Sequence, residues 1–420
     1  MTGIASTAQR SVASTSLIRA HFPALQRRQG LHEVAYFDGP GGTQVPREVP
    51  EAMTDYLLHH NANTHWEYPT SAETDALIAS ARIALGDFLG ATDREISFGA
   101  NMTTILFHIA RAIGRSLVPG DEIIVTELDH HGNVAPWQAL ARERGAVLKW
   151  LPLDLVTFRH EEGAMARLLS PRTKVVAIGA ASNIVGTITD VAPLVAMARA
   201  SGAITVVDAV HYAPHALADA AAIGADFLLC SAYKFYGPHI GVCYGRQDAT
   251  ASLDLPRLEP APDWVPECLE TGTQNHEGIV GAAAAVDFLA SLADDDSLSR
   301  RERLAMTFSA LHARGNALLS QLSQGLASID GVTLFGPEPG TPRTPTASFR
   351  VRGHASEAVA RALAPRGVYV SHGDFYASTV ARKLGLADEG LVRAGCSCYT
   401  TADEVARLVD GVRALAKGAL

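Results

Sequence analysis

Residues 203–238 read AITVVDAVHYAPHALADAAAIGADFLLCSAYKFYGP and hold two of the runs that decide the fold. Ile204–Val207 and Phe227–Leu229 are short and apolar, which is typical of strands buried on both faces of a sheet. Asp208 directly follows the first run, and Lys234 follows the second run by a few residues. Because ligands bind at the carboxyl ends of the strands in open α/β sheets, we expect both side chains at one site.

Comparable apolar runs lie on both sides of this segment. The other predicted strands are Ile123–Thr126, Val147–Leu151, Val175–Ile178 and Val242–Tyr244. Stretches with helical spacing of apolar residues, such as 134–144 and 191–201, lie between them. This alternation predicts an α/β core over about residues 90–290, in which a mostly parallel sheet lies between two layers of helices.

Helical signals dominate the flanks of this core. Thr70 and Glu73 have the spacing of a capping box, and helical apolar spacing continues from there to Gly90. Beyond the core, the pattern predicts a helix over 301–328, strands near 332–335 and 346–351, and a last helix that begins at a Thr401/Glu404 capping box. We therefore predict an N-terminal tail or arm (1–35), a large α/β domain (36–295) and a smaller α+β C-terminal domain (296–420).

The composition is typical of a folded globular chain of 420 residues. With 35 Lys and Arg against 44 Asp and Glu, its net charge of −9 favours neither a nucleic acid nor an anionic membrane as partner. Five cysteines are an odd number and too few for a disulfide framework, so we expect a reducing, cytoplasmic setting.

No run approaches the roughly 20 apolar residues of a membrane span. Residues 1–32 lack Asp and Glu, which faintly resembles a transit peptide, but a short disordered tail over 1–15 explains this equally well.

Asp208 and Lys234 allow two interpretations, a structural ion pair or a pyridoxal-phosphate site. That cofactor needs a lysine amine for its Schiff base and an aspartate that keeps the pyridine nitrogen protonated. It also needs a planar side chain over its ring, for which His130 or His131 is a candidate. Its phosphate needs N–H and O–H donors, and Thr103, where a loop enters a predicted helix, is one candidate. Ser231, three residues before the lysine, is another.

Four segments together resemble the motifs of the class V, fold-type I pyridoxal-phosphate enzymes, and most of all the cysteine desulfurase and selenocysteine lyase group. The segments are Asp208–His211, Ser231–Pro238, Ser182–Thr187 and Glu270–Thr273. The resemblance runs from about Tyr36 to the final helix. It implies pyridoxal 5'-phosphate as cofactor, a seven-stranded sheet in the large domain, a small amino acid as substrate and a homodimer.

The resemblance also implies roles for individual residues. Lys234 would form the Schiff base and later carry the proton at the substrate Cα, Asp208 would pair with the pyridine nitrogen, and His130 would stack on the ring, with His131 as second choice. Further cofactor contacts would come from Asn183 and His211 near the ring hydroxyl, and from Met102, Thr103, Ser231, Tyr233 and the partner subunit's Thr273 at the phosphate. Tyr233 stands where relatives commonly have histidine. Arg393 would clamp the substrate α-carboxylate.

One departure from the family pattern limits the chemistry. In the desulfurases, a nucleophilic cysteine follows the pattern Val-Arg-x-Gly on a mobile loop and takes up the substrate sulfur as a persulfide. The corresponding stretch 368–376 reads VYVSHGDFY, with Tyr376, a predicted substrate-binding residue, where the cysteine would fall. Cys396 and Cys398 follow Arg393 closely and could substitute, but their spacing of two is more typical of strand packing.

These observations lead us to expect a carbon–sulfur lyase of the β-elimination type that lacks the usual loop cysteine. An aminotransferase or an amino-acid epimerase remains open, as does a non-catalytic homologue that keeps the fold. We expect no metal site, because Pro214 interrupts the His211/His215 pair and a third ligand is not evident. The segment Gly39–Gly42 lacks the spacing of a dinucleotide-binding fingerprint.

Overall fold

The structure is a computed structural model that describes residues 11–419. Its strands are β1 (Arg28–Gln29), β2 (His32–Glu33), β3 (Ala35–Tyr36), β4 (Ile96–Gly99), β5 (Glu122–Thr126), β6 (Val147–Leu151), β7 (Leu153–Asp154), β8 (Arg159–His160), β9 (Thr173–Gly179), β10 (Ile204–Asp208), β11 (Phe227–Ser231), β12 (Gly241–Gly245), β13 (Val332–Phe335), β14 (Thr346–Val351), β15 (Val368–Tyr369), β16 (Ser371–Gly373) and β17 (Leu391–Gly395). Its α-helices are α1 (Thr15–Ala20), α2 (Glu48–Asp55), α3 (Pro69–Leu89), α4 (Met102–Gly114), α5 (Ala135–Arg144), α6 (Ala164–Leu168), α7 (Val191–Ala200), α8 (Ala220–Ile223), α9 (Gln247–Ala251), α10 (His276–Ser291), α11 (Arg300–Ala327), α12 (Ser356–Leu363), α13 (Ser378–Lys383) and α14 (Ala402–Ala416).

The central sheet has seven strands in the order β4-β12-β11-β10-β9-β5-β6. The pairs from β11 through β6 are parallel, and β12 runs antiparallel to both of its neighbours. All six strands predicted for the core are present in it, and the expected mostly parallel sheet between layers of helices is confirmed. The sequence pattern did not reveal β4, whose four residues form one edge of the sheet.

Alternate residues of the central strands enter two separate cores, one on each face of the sheet. On β10, Val206 packs into one core and Val207 into the other. Side chains of α3, α7 and α10 line the Val207 side, and those of α4 and α5, including Trp137, line the Val206 side. This burial on both faces explains why the strands read as unbroken apolar runs.

Of three helix ends predicted from local sequence patterns, one is wrong and two are confirmed. Helix α3 begins at Pro69, and its N-cap residue makes no side-chain hydrogen bond, so the predicted Thr70/Glu73 capping box is wrong. The Glu73 carboxylate instead contacts His60 Nδ1 at 2.7 Å. The helix ends as predicted, with Gly90 in the left-handed region at φ 69°. The Thr401/Glu404 capping box is confirmed at the start of α14.

A second, antiparallel sheet follows in the order β13-β14-β17-β16, covered by α11, α12 and α14. Near the N-terminus, β3 pairs in parallel with β15, so this part of the chain contacts the C-terminal region. The division at 35/36 and 295/296 remains our proposal. The predicted tail over 1–15 lies mostly outside the described residues, and α1 begins at Thr15. Among the described helices, none is long and apolar enough to cross a membrane.

Candidate active site

A cavity of about 1000 Å³ lies at the carboxyl ends of β5, β9, β10 and β11. Residues 371–376 and Arg393, from the second sheet and the turn that follows β16, also line it. The predicted site residues that line this cavity are Met102, Thr103, His130, Asn183, Asp208, His211, Ser231, Tyr233, Lys234, Tyr376 and Arg393. Thr273 is exposed and is not among the described lining residues.

The N-terminus of α4 provides hydrogen-bond donors at one end of the cavity. Asn101 caps this helix by accepting a hydrogen bond from the Thr104 N–H, and the Met102 N–H donates to Ser231 Oγ at 3.0 Å. A Cβ added to Gly132 would lie only 2.9 Å from Thr103 Oγ1, so glycine lets the loop after β5 approach the helix. Because helix N-termini attract anions, this end of the cavity suits a phosphate.

Asp208 and Lys234 lie on neighbouring strand ends, as the sequence predicts. Asp208 Oδ1 accepts a hydrogen bond from the Val210 N–H at 2.9 Å, and burial raises the pKa of the Asp208 carboxyl to about 6. Lys234 Nζ donates to the carbonyls of Pro40 (2.6 Å) and Gly41 (2.9 Å), contacts that sequence reasoning missed. Burial, and then the charge of Arg393, lower the Lys234 pKa to about 7. The lysine is therefore held in place with its amine partly uncharged near neutral pH.

His130 presents a neutral imidazole to the cavity. Its Nδ1 accepts a hydrogen bond from the Gly132 N–H at 2.9 Å, which places the ring proton on Nε2. Burial, and then the charge of Lys234, lower the His130 pKa to about 4. His131 also lines the cavity, but its Nε2 contacts Thr379 Oγ1 of α13 at 3.2 Å. This difference keeps His130 as our choice for the ring-stacking residue.

Asp129 is a buried residue of the site that sequence reasoning missed. Its carboxylate accepts hydrogen bonds from Thr126 Oγ1 (2.6 Å), the Gly179 N–H (3.0 Å) and Asn133 Nδ2 (2.8 Å). These bonds tie the loop that carries His130 to β5 and β9. Burial raises the Asp129 pKa to about 7, and the nearby Asp208 charge acts in the same direction. Its position next to His130, with Asn133 four residues on, was the available sequence signal.

Arg393 and Asn183 also line the cavity and contact each other. Arg393 Nη1 donates to the Asn183 carbonyl at 2.9 Å, while its Nε is buried without a partner. Asn183 Nδ2 donates to the Phe375 carbonyl at 2.8 Å, and its Oδ1 is also buried without a partner. Burial lowers the Arg393 pKa to about 9, although the nearby Asp38 acts in the opposite direction. His211 Nε2 contacts Thr344 Oγ1 at 2.9 Å.

All five cysteines are among the described residues, and none of them is a lining residue of this cavity. Cys396 and Cys398 line a separate, small pocket together with His215 and Tyr236. Burial raises the pKa of both thiols to about 12, so neither resembles an activated thiolate. Among the described residues, there is also no cluster of three or more His, Cys, Asp or Glu side chains that could hold a metal ion.

Pyridoxal phosphate fits the groups that line the cavity. The cofactor requires an amine, a carboxylate for its ring nitrogen and donors for its phosphate, and Lys234, Asp208 and the α4 N-terminus offer these. The unpartnered Asn183 Oδ1 and Arg393 Nε are further buried groups that a bound cofactor or substrate would satisfy. Fold and site together define a pyridoxal-phosphate-dependent enzyme of fold-type I.

Comparison with known proteins specifies the family. The aminotransferase class-V family model matches residues 35–408, and the chain belongs to this family. The chain is 34% identical over 413 residues to a "Probable cysteine desulfurase" of Pseudomonas putida. The alignment covers 94% of this chain and 96% of the relative. It is 32% identical over 404 residues to "Aminotransferase-like protein FGM3" of Gibberella zeae. This alignment covers 93% of the chain and 96% of the relative. The apo structure of a cysteine desulfurase from Thermococcus onnurineus NA1 has a TM-score of 0.88 at 28% identity and covers 98% of this chain and 100% of that one. The expected likeness to the cysteine desulfurase group is confirmed.

Proposed function

We propose that the protein uses pyridoxal phosphate to remove a sulfur substituent from the β-carbon of a small amino acid by elimination. The observation that carries this proposal is the cavity itself, which brings together Lys234, Asp208 and Arg393 but is not lined by any of the five cysteines. Where the family pattern has a nucleophilic cysteine, the turn after β16 presents Tyr376, whose side chain is 73% exposed.

Different residues of the cavity would have different roles in such a reaction. The unpartnered Nε side of Arg393 would bind the α-carboxylate and orient the substrate. Lys234, with a pKa of about 7, would take the proton from the substrate Cα near neutral pH. When bound, the cofactor would supply an electron-poor ring that stabilises negative charge at Cα. Asp208 would hold the ring nitrogen, and His130 would cover one face of the ring.

The remaining roles follow the same arrangement. Met102, Thr103, Ser231 and Tyr233 would hold the phosphate, and Asn183 and His211 would approach the ring hydroxyl. The Met102 N–H already donates to Ser231 Oγ, and the Tyr233 ring stacks on His239 with centroids 4.8 Å apart. Both contacts would order groups proposed to bind the phosphate.

Elimination balances without a thiol acceptor. The carbon–sulfur bond breaks, its electron pair leaves with sulfur as sulfide, and the unsaturated remainder hydrolyses to a keto acid and ammonia. The desulfurase route instead transfers neutral sulfur to a thiolate and leaves alanine, so it requires a nearby low-pKa cysteine. Burial raises the pKa of the Cys268, Cys396 and Cys398 thiols, which argues against that route.

The experiment that tests this proposal is a product analysis with a panel of amino acids that includes cysteine, selenocysteine and alanine. We expect sulfide or selenide, ammonia and a keto acid from the first two, and no product when Lys234→Ala replaces the wild type. Conversion of the bound cofactor to its amine form without loss of sulfur would establish an aminotransferase, and inversion at Cα an epimerase. Either result would overturn the lyase. A protein that gains no visible absorbance with the cofactor would favour a non-catalytic homologue.

We also propose a homodimer in which the partner subunit's Thr273 completes the phosphate site. In one subunit, Thr273 is exposed outside the cavity, and the large apolar side chains of Leu58, Trp66 and Trp264 are exposed at 71%, 57% and 58%. Aromatic side chains such as those of Trp66 and Trp264 are enriched at protein–protein interfaces. Mixing inactive Lys234→Ala and Thr273→Ala proteins should restore activity, because one site of each mixed dimer is complete. Sedimentation as a monomer, or no restoration, would contradict the shared site.

For the compartment, we propose the reducing cytoplasm, since all five cysteines are unpaired thiols. Cell fractionation with an antibody to the native chain tests this. Recovery in an oxidising compartment would contradict it.

A further inference from the structure

The turn Asp374–Tyr376 has an unusual backbone. Phe375 and Tyr376 both lie in the left-handed region, at φ 55° and 56°, although neither is glycine. Such conformations are unfavourable for residues with a Cβ and persist where surrounding contacts determine them. Asp374 Oδ1 accepts a hydrogen bond from the Tyr376 N–H at 3.0 Å and stabilises the turn from within.

Two hydrogen bonds attach this turn to loops of the large sheet. The Phe375 carbonyl accepts from Asn183 Nδ2 at 2.8 Å, and the Tyr376 carbonyl accepts from the His131 N–H at 2.7 Å. The turn is thus held from two sides, by the loop after β9 and the loop after β5. The strained backbone and the two bonds together fix the direction of the Phe375 side chain.

The Phe375 ring lies against the face of the Arg393 guanidinium, with 4.0 Å between Cζ and the ring centroid. At this distance, the negative face of the aromatic ring attracts the cation, and more strongly when water is excluded. Arg393 is 3% exposed, so the contact is desolvated. Asn183 links the two residues, because its carbonyl accepts from Arg393 Nη1 while its amide donates to the Phe375 carbonyl.

We propose that Phe375 is a positioning residue for substrate binding, one that fixes the plane of the Arg393 guanidinium so that its unpartnered Nε side meets the α-carboxylate. The proposal rests on the proposed function of the cavity. Asn183 accepts from Nη1 and Phe375 covers one face of the guanidinium, while Nε is a buried donor without a partner among the described residues. A carboxylate binds in the guanidinium plane, so the ring and the substrate do not compete for the same position.

The test compares Phe375→Leu with Phe375→Tyr in the cofactor-loaded, full-length protein. Leucine keeps an apolar side chain but loses the aromatic face, whereas tyrosine keeps the face. We expect Phe375→Leu to raise the KM of the amino-acid substrate by about tenfold with kcat changed less than about twofold, and Phe375→Tyr to retain most of the wild-type KM. Equal KM values for wild type and Phe375→Leu, or equal losses in both variants, would overturn the proposal.

A second readout uses the cofactor-free protein and needs no activity. The arginine reagent phenylglyoxal would be applied, and its attachment to Arg393 followed by peptide mass spectrometry. Phe375→Leu should speed the labelling of Arg393 but leave the buried Arg82 and the partly buried Arg343 unchanged. Faster labelling of all three would indicate general loosening, and no change at Arg393 would refute the contact. If the wild type fails to bind cofactor, the proposed function fails, and this labelling still decides the role of Phe375.

Discussion

We expect the protonation state of the Lys234 amine to set the pH at which the protein attaches its cofactor. Burial, and then the charge of Arg393, lower the Lys234 pKa from 10.5 to about 7, while Asp208 acts in the opposite direction. At pH 8, an amine with a pKa of about 7 is roughly nine-tenths uncharged, against about 0.3% for an ordinary lysine. The reactive fraction is therefore about 300-fold larger than an exposed lysine would have. We expect the initial rate of cofactor attachment to rise with pH to a plateau, with a midpoint near 7.

Two charge-removing variants should move this midpoint in opposite directions. Arg393→Gln removes a repelling positive charge, so the midpoint should rise, and Asp208→Asn removes a stabilising negative charge, so it should fall. The assay mixes cofactor-free protein with pyridoxal phosphate between about pH 5 and 10 and follows the visible absorbance of the attached cofactor. Lys234→Ala gives the blank, and a lysine derivative with a blocked α-amine corrects for titration of the cofactor itself.

A wild-type midpoint near 10 would contradict the lowered Lys234 pKa, because the amine would then be solvated like a surface lysine. Movement of the midpoint in the same direction by both variants would contradict the assigned roles of the two charges. That result would mean that the substitutions disturb the cavity and that the two charges do not control the amine.

Three further predictions concern stability. Arg82 and Glu270 form a buried, bidentate ion pair with N–O distances of 2.8 and 2.9 Å, so Arg82→Ala should lower the free energy of unfolding by denaturant by about 3–5 kcal/mol. Arg352→Ala, at an exposed ion pair, is the control and should cost less than about 1 kcal/mol. Similar losses in both variants would be inconsistent with burial of the Arg82–Glu270 pair. Burial raises the pKa of the Asp129 carboxyl to about 7, so its contribution to the stability of the cofactor-free protein should fall as pH rises from about 4 to 7. In a plot of unfolding free energy against pH, Asp129→Asn should remove this decline. Identical pH profiles for the wild type and the variant would exclude the contribution of Asp129. Thr401→Ala breaks the capping box of α14 and should lower the unfolding free energy by about 1 kcal/mol. An unchanged unfolding free energy would show that the cap does not contribute to stability.

Burial on both faces made the parallel strands predictable from sequence. The unbroken apolar runs of β5 and β11 stand out in the sequence, and the edge strand β6, which includes Lys149, was also predicted with its observed bounds. Strand β4 was not, because the polar Ser97 interrupts the apolar run within Ile96–Gly99. The α3 start was also mispredicted, since the pattern of Thr70 and Glu73 carries no information about Pro69, which suits the first position of a helix.

The site was predictable to the extent that it follows strand ends and motifs. Asp208 is the last residue of β10 and Lys234 lies three residues after β11, so the parallel topology was sufficient to bring them together. Phe375 and the Pro40 carbonyl were not predictable, because their roles depend on loops that meet only in the folded chain. The hydrogen bond from Asn183 to Phe375, for example, spans 192 residues of sequence. No local pattern of residue types records such an approach.

The most direct test of the central claim is the fate of sulfur in a single turnover with L-cysteine, measured without added thiol. The intact mass of the protein and the small-molecule products would be determined from the same sample. Our account predicts sulfide, ammonia and pyruvate in equal amounts and a protein of unchanged mass, with the same outcome for Cys398→Ser. Alanine as product, together with a protein that gains the mass of one sulfur atom on a cysteine, would contradict it.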